Sequence, residues 1–143
     1  MECKAELLTN QEDLYKYLND VDNDFGIPLS FKIDLKSFAL KLIKYGQVYV
    51  IKEDKHITAM IGFYCNDNIN NNAYLPILST KEIARGKGYA RILINMMIDK
   101  CKNVGMKYIY CDSINPIAIA LYKSLGFIEY KVEEEKSYLK LNL

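Results

Sequence analysis

Residues 85–90 read Arg85-Gly86-Lys87-Gly88-Tyr89-Ala90. They stand between a strand-like run, Tyr74 to Thr80, and a stretch whose apolar residues Ala90, Leu93, Ile94, Met97, Ile98 and Cys101 fall at helical spacing. The chain must therefore pass from a strand, through two glycines, straight into an amphipathic helix. Two glycines leave the backbone open, so that successive N–H groups turn toward one anion. The dipole of the following helix points its positive end at the same spot, and Arg85 and Lys87 add formal charge. The segment reads as a cradle for a diphosphate. A tight glycine turn that only starts a helix accounts for the six residues equally well.

The spacing separates this loop from better-known phosphate loops. A Walker A loop requires Gly-x-x-x-x-Gly-Lys-Ser/Thr, which is absent from the chain. A dinucleotide fingerprint requires a third glycine, where Gly86 and Gly88 are followed by Tyr89, Ala90 and Arg91. What remains is Arg-x-x-Gly-x-Ala, from Arg85 through Gly88 to Ala90. A second marked segment, residues 115–127, reads Asn-Pro-Ile-Ala-Ile-Ala-Leu-Tyr-Lys-Ser-Leu-Gly-Phe. It predicts a short helix with Asn115 as N-cap, Pro116 at the first helical position and Gly126 just past the end.

The two segments together, in this order and at this separation, closely resemble the GNAT superfamily of acetyl-CoA-dependent N-acetyltransferases. The family's loop pattern, Arg/Gln-x-x-Gly-x-Gly/Ala, is met by Arg85, Gly88 and Ala90. Its later pattern, Asn-x-x-Ala-x-x-Leu-Tyr-x-x-x-Gly-Phe, is met by Asn115, Ala118, Leu121, Tyr122, Gly126 and Phe127. The resemblance spans roughly Tyr74 to Tyr130, the acyl-CoA half. It implies acetyl-CoA as co-substrate, with Arg85, Gly86, Lys87, Gly88, Tyr89 and Ala90 at its diphosphate and Asn115 beside its arm. It implies oxyanion donors from backbone N–H groups near Leu78 and Thr80, and Tyr122 as proton donor to the departing thiolate. A phenol with a pKa near ~10 carries its proton at neutral pH. Taken by itself, Tyr122 is also explained as a helix tyrosine packing its ring on the sheet, and Asn115 as a plain helix cap.

A walk along the rest of the chain predicts an α+β fold. Cys3 to Leu8 suggests a short first strand, Thr9 with Glu12 a capping box opening a helix to about Asn19, and Asp20 to Asp24 a loop. Phe25 to Ile33 is irregular, and Asp34 caps a second helix that stops at Gly46. Gln47 to Lys52 and His56 to Cys65 pair as a hairpin across Glu53-Asp54-Lys55, and an asparagine-rich loop, Asn66 to Asn72, follows. Pro76 inside the next strand suggests a bulge or a strand end turned away from its neighbour. In the GNAT fold this strand splays from the next one, which agrees. Lys107 to Cys111 is a further strand, and Phe127 to Leu141 supplies one or two more. The expectation is one GNAT-like domain over residues 1–143: a mixed, mainly antiparallel sheet, about four helices and splayed central strands.

Composition excludes several classes. A chain of 143 residues buries roughly two-thirds of its unfolded surface. A net charge of +1 implies no broad basic face and hence no nucleic-acid partner. No apolar run reaches the length of a membrane span and Met1-Glu2-Cys3-Lys4 begins no signal peptide, so a cytoplasmic protein is expected. Cys3, Cys65, Cys101 and Cys111 lack ligand spacing with His56, the sole histidine, which argues for reduced thiols and no metal. His56 sits at a hairpin turn, which leaves Ser-His-Asp and Cys-His hydrolases unsupported.

The acceptor is expected to be a small-molecule primary amine. Pro28-Leu29-Ser30-Phe31-Lys32-Ile33-Asp34-Leu35 is similar to a segment of family members associated with bacterial surface-polysaccharide gene sets. The similarity implies Ser30 and Lys32 in the acceptor pocket and an amino sugar carried on a nucleotide. The alternatives are a protein N-terminus or a polyamine, toward which Asp20, Asp22 and Asp24 point, and a non-catalytic acyl-CoA-binding protein. Tyr64, Asp67, Tyr74 and Asp112 lie near strand ends, where a place facing the cleft and a solvated strand position explain them equally well, and none stands out as a general base. The oligomeric state, a homodimer included, stays open.

Overall fold

Short polar side chains decide where most of the helices begin. The computed structural model describes residues 4–25 and 27–143. Asn10 accepts hydrogen bonds from the backbone N–H groups of Glu12 and Asp13, at 2.9 and 3.1 Å, and starts α1, Gln11–Val21. The cap is thus Asn10 and not Thr9, in keeping with the stronger capping preference of asparagine. The helix runs beyond Asn19 because Val21 is buried on the same stripe as Leu14, Tyr17 and Leu18. A 3₁₀ turn at Asp22–Phe25 follows, where a loop was expected. Asp34 caps α2, Leu35–Tyr45, by accepting from the Lys36 N–H and the Ser37 hydroxyl. The remaining helices are α3, Tyr89–Asn103, and α4, Pro116–Ser124.

Seven strands form one sheet: β1 Glu6–Leu7, β2 Gln47–Glu53, β3 His56–Tyr64, β4 Asn72–Thr80, β5 Tyr108–Ser113, β6 Ile128–Glu133 and β7 Lys136–Asn142. The first strand is shorter than the sequence suggests, and Cys3 lies outside the described residues. Among the described residues the order across the sheet is β1-β2-β3-β4-β5-β7-β6, with β4–β5 the one parallel pair. Both tight hairpins use two residues at positive φ, Asp54-Lys55 (49° and 69°) and Glu134-Glu135 (51° and 69°). That turn matches the right-handed twist of the strands it joins.

The mixed sheet has a core on each face. Leu93, Ile94, Met97 and Cys101 of α3 and Tyr122 of α4 pack on Ala59, Ile61, Leu75, Ile109 and Leu139. On the other face Leu14, Leu18, Ala39 and Leu42 of α1 and α2 cover Val48, Val50, Met60 and Ile77. This second layer stops at β4. The same face of β5, β7 and β6 has no helix over it among the described residues.

Pro76 changes the sheet where the sequence places it. Between the pairs Tyr64↔Tyr74 and Gly62↔Ile77, β3 advances two residues and β4 advances three. The extra residue is a bulge at Leu75-Pro76, where a proline has no N–H to give a ladder. The bulge reverses the alternation, so Ala73 and Leu75 pack toward α3 while Ile77 packs toward α1 and α2.

Candidate active site

The bulge also ends the pairing with β5. The parallel rungs run from Asn72↔Tyr108 to Leu75↔Cys111 and go no further. Beyond them β4 continues along β3 to Thr80 while β5 turns off toward α4. Lys81 donates its N–H to the Thr58 carbonyl at 2.8 Å. In an antiparallel ladder hydrogen-bonded pairs alternate, so Ser79↔Met60 and Ile77↔Gly62 are the bonded pairs. The backbone N–H groups of Leu78 and Thr80 therefore point away from β3, into the gap left by β5. A strand edge with unpaired donors inside a sheet calls for a partner.

At the end of β4 a short 3₁₀ turn, Glu82–Ala84, leads into the glycine loop. Gly86 and Gly88 both hold φ at 82°, and a Cβ built on either would meet no atom within 4 Å. The glycines serve the left-handed conformation and leave open space in front of the backbone. Gly88 is the cap of α3 and offers no side-chain bond. The N–H groups of Gly86, Lys87, Gly88 and Ala90 make no hydrogen bond to other described residues. Arg85 donates Nε to the Thr80 carbonyl at 3.2 Å, which ties the loop to the gap.

Lys87 does not leave its charge at the loop. Its Nζ lies 2.6 Å from Glu53 Oε2, at the end of β2, and the same oxygen accepts the Tyr89 hydroxyl at 2.6 Å. Lys87 and Tyr89 together hold the Glu53 carboxyl below its ordinary range. These two side chains anchor the loop to the β2–β3 hairpin, and only their backbone reaches the cradle. Glu53 is the residue that sequence reasoning missed. It stands 34 positions before Lys87, at the last position of β2, and nothing local marks it.

On the opposite bank, Asn115 accepts from the N–H groups of Ile117 and Ala118 and starts α4 beside the gap. Its carboxamide N–H₂ donates to no described residue. Tyr122 is 5% exposed, its ring packed on Phe127 with centroids 5.4 Å apart. Burial pushes its phenol well above the ordinary value, with Cys111, Asp112 and Tyr74 adding to the rise. Its hydroxyl makes no hydrogen bond to the described residues and is not sealed from solvent. On the helix-free face Tyr74 donates to Asp112 at 3.3 Å, and Lys136 sits 3.4 Å from the same carboxylate. The gap is thus a passage through the sheet: the glycine loop and Tyr122 border it on one face, Tyr74 and Asp112 on the other.

The sequence profile of the acetyltransferase (GNAT) family matches residues 12–127. The chain belongs to that family. N-alpha-acetyltransferase 30 of Saccharomyces cerevisiae is 25% identical to it over 139 residues, covering 87% of this chain and 74% of the yeast protein. Among solved structures, the NatC complex bound to Gag peptide and CoA contains a chain that superposes with a TM-score of 0.81 at 23% identity, covering 100% and 99% of the two chains. The PaiA N-acetyltransferase of Thermoplasma acidophilum in complex with coenzyme A superposes with a TM-score of 0.77 at 15% identity, over the full length of both.

As a GNAT member the chain is an acetyl-CoA-dependent N-acetyltransferase, and its residues fit that co-substrate. The cradle needs glycine for its backbone and leaves donors facing open space, as a diphosphate requires. The other sequence-predicted residues are placed as follows. Ser30 gives its hydroxyl and its N–H to Asp22, at 2.5 and 2.8 Å, and so braces the α1–α2 connection. Lys32 is exposed two residues on. Tyr64 pairs with Tyr74 across β3 and β4, while Asp67 accepts from the Ile69 and Asn70 N–H groups and closes its own turn. The structure joins Tyr74 to Asp112 and leaves Asp67 apart from them. Cys101 and Cys111 are buried, and burial pushes the Cys111 thiol up to about 12. Cys65 is half-buried, and the neighbouring Cys101 thiol draws its own below the ordinary value.

Proposed function

We propose that the protein moves the acetyl group of acetyl-CoA to the free α-amine of a peptide or protein N-terminus. One observation carries this reading. The passage between β4 and β5 opens onto the helix-free face of β5, β7 and β6, where the rings of Tyr108, Tyr110, Tyr130 and Tyr138 form a chain with neighbouring centroids 6.1 to 6.5 Å apart. An open aromatic surface beside the reacting amine suits an acceptor that continues as a chain. The yeast relative named as an N-alpha-acetyltransferase supports the same class. A nucleotide-linked amino sugar would need cations for its diphosphate. Of the two residues assigned to it, Ser30 is already bonded to Asp22 and Lys32 alone carries charge.

The chemistry follows from the borders of the passage. The amine nitrogen attacks the thioester carbonyl, a C–N bond forms, and the C–S bond breaks. The Leu78 and Thr80 N–H groups meet the charge that develops on the carbonyl oxygen. The thiolate takes the Tyr122 phenol proton, the amine's surplus proton leaves to water, and water returns one proton to Tyr122. Arg85, Gly86, Lys87, Gly88, Tyr89 and Ala90 hold the diphosphate, chiefly through the backbone, and Asn115 borders the arm of the co-substrate.

The test is thiol release from acetyl-CoA with paired peptides, one with a free N-terminus and one blocked, alongside a polyamine and a nucleotide-linked amino sugar. Release with the free peptide and none with the blocked one is expected. Faster turnover of the amino sugar or the polyamine would replace this acceptor.

A further inference from the structure

We infer that Asp112 is the residue that takes hold of the incoming amine, and that Lys136 keeps its place until the amine arrives. The inference rests on acetyl transfer at the β4–β5 passage but not on which amine is brought there. Asp112 is the first residue of β5 past the last rung with β4, Leu75↔Cys111, so it stands at the mouth of the passage. Register puts it opposite Tyr138 and two residues from Tyr110, itself opposite Tyr74, all on the helix-free face. Among the neighbouring carboxylates Glu133 pairs with Lys131 at 2.8 Å and Glu129 with Lys123 at 3.6 Å, while Glu134 and Glu135 lie in the β6–β7 turn beyond Lys136.

Its partners leave room. An ionised carboxylate has about four acceptor sites, and Asp112 uses one for the Tyr74 hydroxyl and one for Lys136. The Tyr74 bond, itself long at 3.3 Å, tethers the carboxylate on the β4 side. The lysine bond is loose: at 3.4 Å, with the Lys136 side chain 36% and the Asp112 side chain 24% exposed, it is an ion pair that exchanges readily. An ammonium arriving from the acceptor can displace Lys136, whose own ammonium then turns to solvent, and Asp112 stays paired with one cation. From there the nitrogen faces the opening that Tyr122 borders from the far side. The ammonium gives one proton to bulk water, and the neutral nitrogen is positioned for attack. A hydroxyl or an anionic group would gain nothing by displacing Lys136, so the device selects amines.

The test uses the full chain, acetyl-CoA and whichever amine the parent enzyme acetylates best. Asp112→Asn should raise the acceptor KM by about 10–100-fold, as expected for loss of a charge-assisted hydrogen bond, with kcat and acetyl-CoA affinity nearly unchanged. Asp112→Glu should recover most of that loss. Lys136→Ala should lower the acceptor KM, because a competing cation is gone. An unchanged acceptor KM in Asp112→Asn would overturn the inference, as would a matching loss of acetyl-CoA affinity by calorimetry. If Asp112→Asn fails to fold, Lys136→Ala decides: a KM that rises or stays level sinks the idea. Should the parent reject peptides and accept another amine, the peptide reading falls while these variants still test Asp112 with that amine.

Discussion

Lys87 reaches back from the glycine loop to place its ammonium 2.6 Å from the carboxylate of Glu53, and Tyr89 gives its hydroxyl to the same oxygen. The cation that looks in the sequence like the loop's phosphate ligand is already balanced. On the proposed reading the loop holds the diphosphate with backbone donors, the helix dipole and Arg85. Lys87→Met should weaken acetyl-CoA binding by less than about tenfold, the worth of one screened surface charge, by titration calorimetry. A larger loss would mean that the lysine leaves Glu53 for the diphosphate.

The same contact sets a pH dependence. Lys87 and Tyr89 hold the folded Glu53 carboxyl below its ordinary value. Its contribution is therefore present above the unfolded carboxylate range and is lost as pH falls through the depressed folded value. The melting temperature of the parent should drop relative to Glu53→Gln between neutral pH and about pH 3. Parallel curves for the two proteins would show that the carboxylate adds no stability.

Gly88 separates binding from folding. At φ 82° a side chain is strained, by about 1–2 kcal/mol for alanine, although its Cβ would meet no protein atom. Gly88→Ala should therefore melt slightly earlier yet lose far more in acetyl-CoA affinity, because the methyl occupies the space that the anion enters. Calorimetry that returns the parent's affinity with an intact fold would remove the loop from the site.

Local chemistry was readable and long-range pairing was not. Gly86 and Gly88, the Asn115 cap and the Pro76 interruption each act within a few residues of themselves, so spacing located the loop and α4 and marked the irregular strand, while the splay came from the GNAT resemblance. The Asn10 cap was misplaced by one residue because Thr9 also satisfies the capping-box pattern with Glu12, and only geometry separates the two. Glu53 with Lys87, Tyr17 with Ser79 (2.9 Å) and Tyr74 with Asp112 bridge 34 to 62 residues. No periodicity marks such pairs. They follow from strand order, and the order β5-β7-β6 is not legible before the hairpin is seen to fold back beside β5.

Cys111 stands beside the passage without chemistry to offer. It is 2% exposed, and burial pushes its thiol up to about 12, so the nucleophilic thiolate is scarce at neutral pH. Cys111→Ala should cost about 1 kcal/mol of stability, as for a small buried truncation, and leave turnover per folded molecule intact. A folded variant without activity, or an acetylated Cys111 peptide found by mass spectrometry, would point instead to a covalent acyl-enzyme.

Tyr122 is the side chain on which the proposed reaction depends most. Burial raises its phenol, so it stays protonated through the neutral range and the proton is present when the thiolate departs. The same burial makes the proton harder to lose in the resting state, which suits a donor that acts only when a strong base forms beside it. Tyr122→Phe preserves the packing on Phe127 and removes one oxygen. The expected result is a fall in kcat of about 10²–10⁴-fold, the usual cost of a lost general acid, with acetyl-CoA affinity near that of the parent. Since the folded phenol titrates above its unfolded value, the parent's kcat should not decline from this group as pH rises to about 10. A Phe variant that turns over like the parent would leave Tyr122 as a core residue, and the proton would have to come from water.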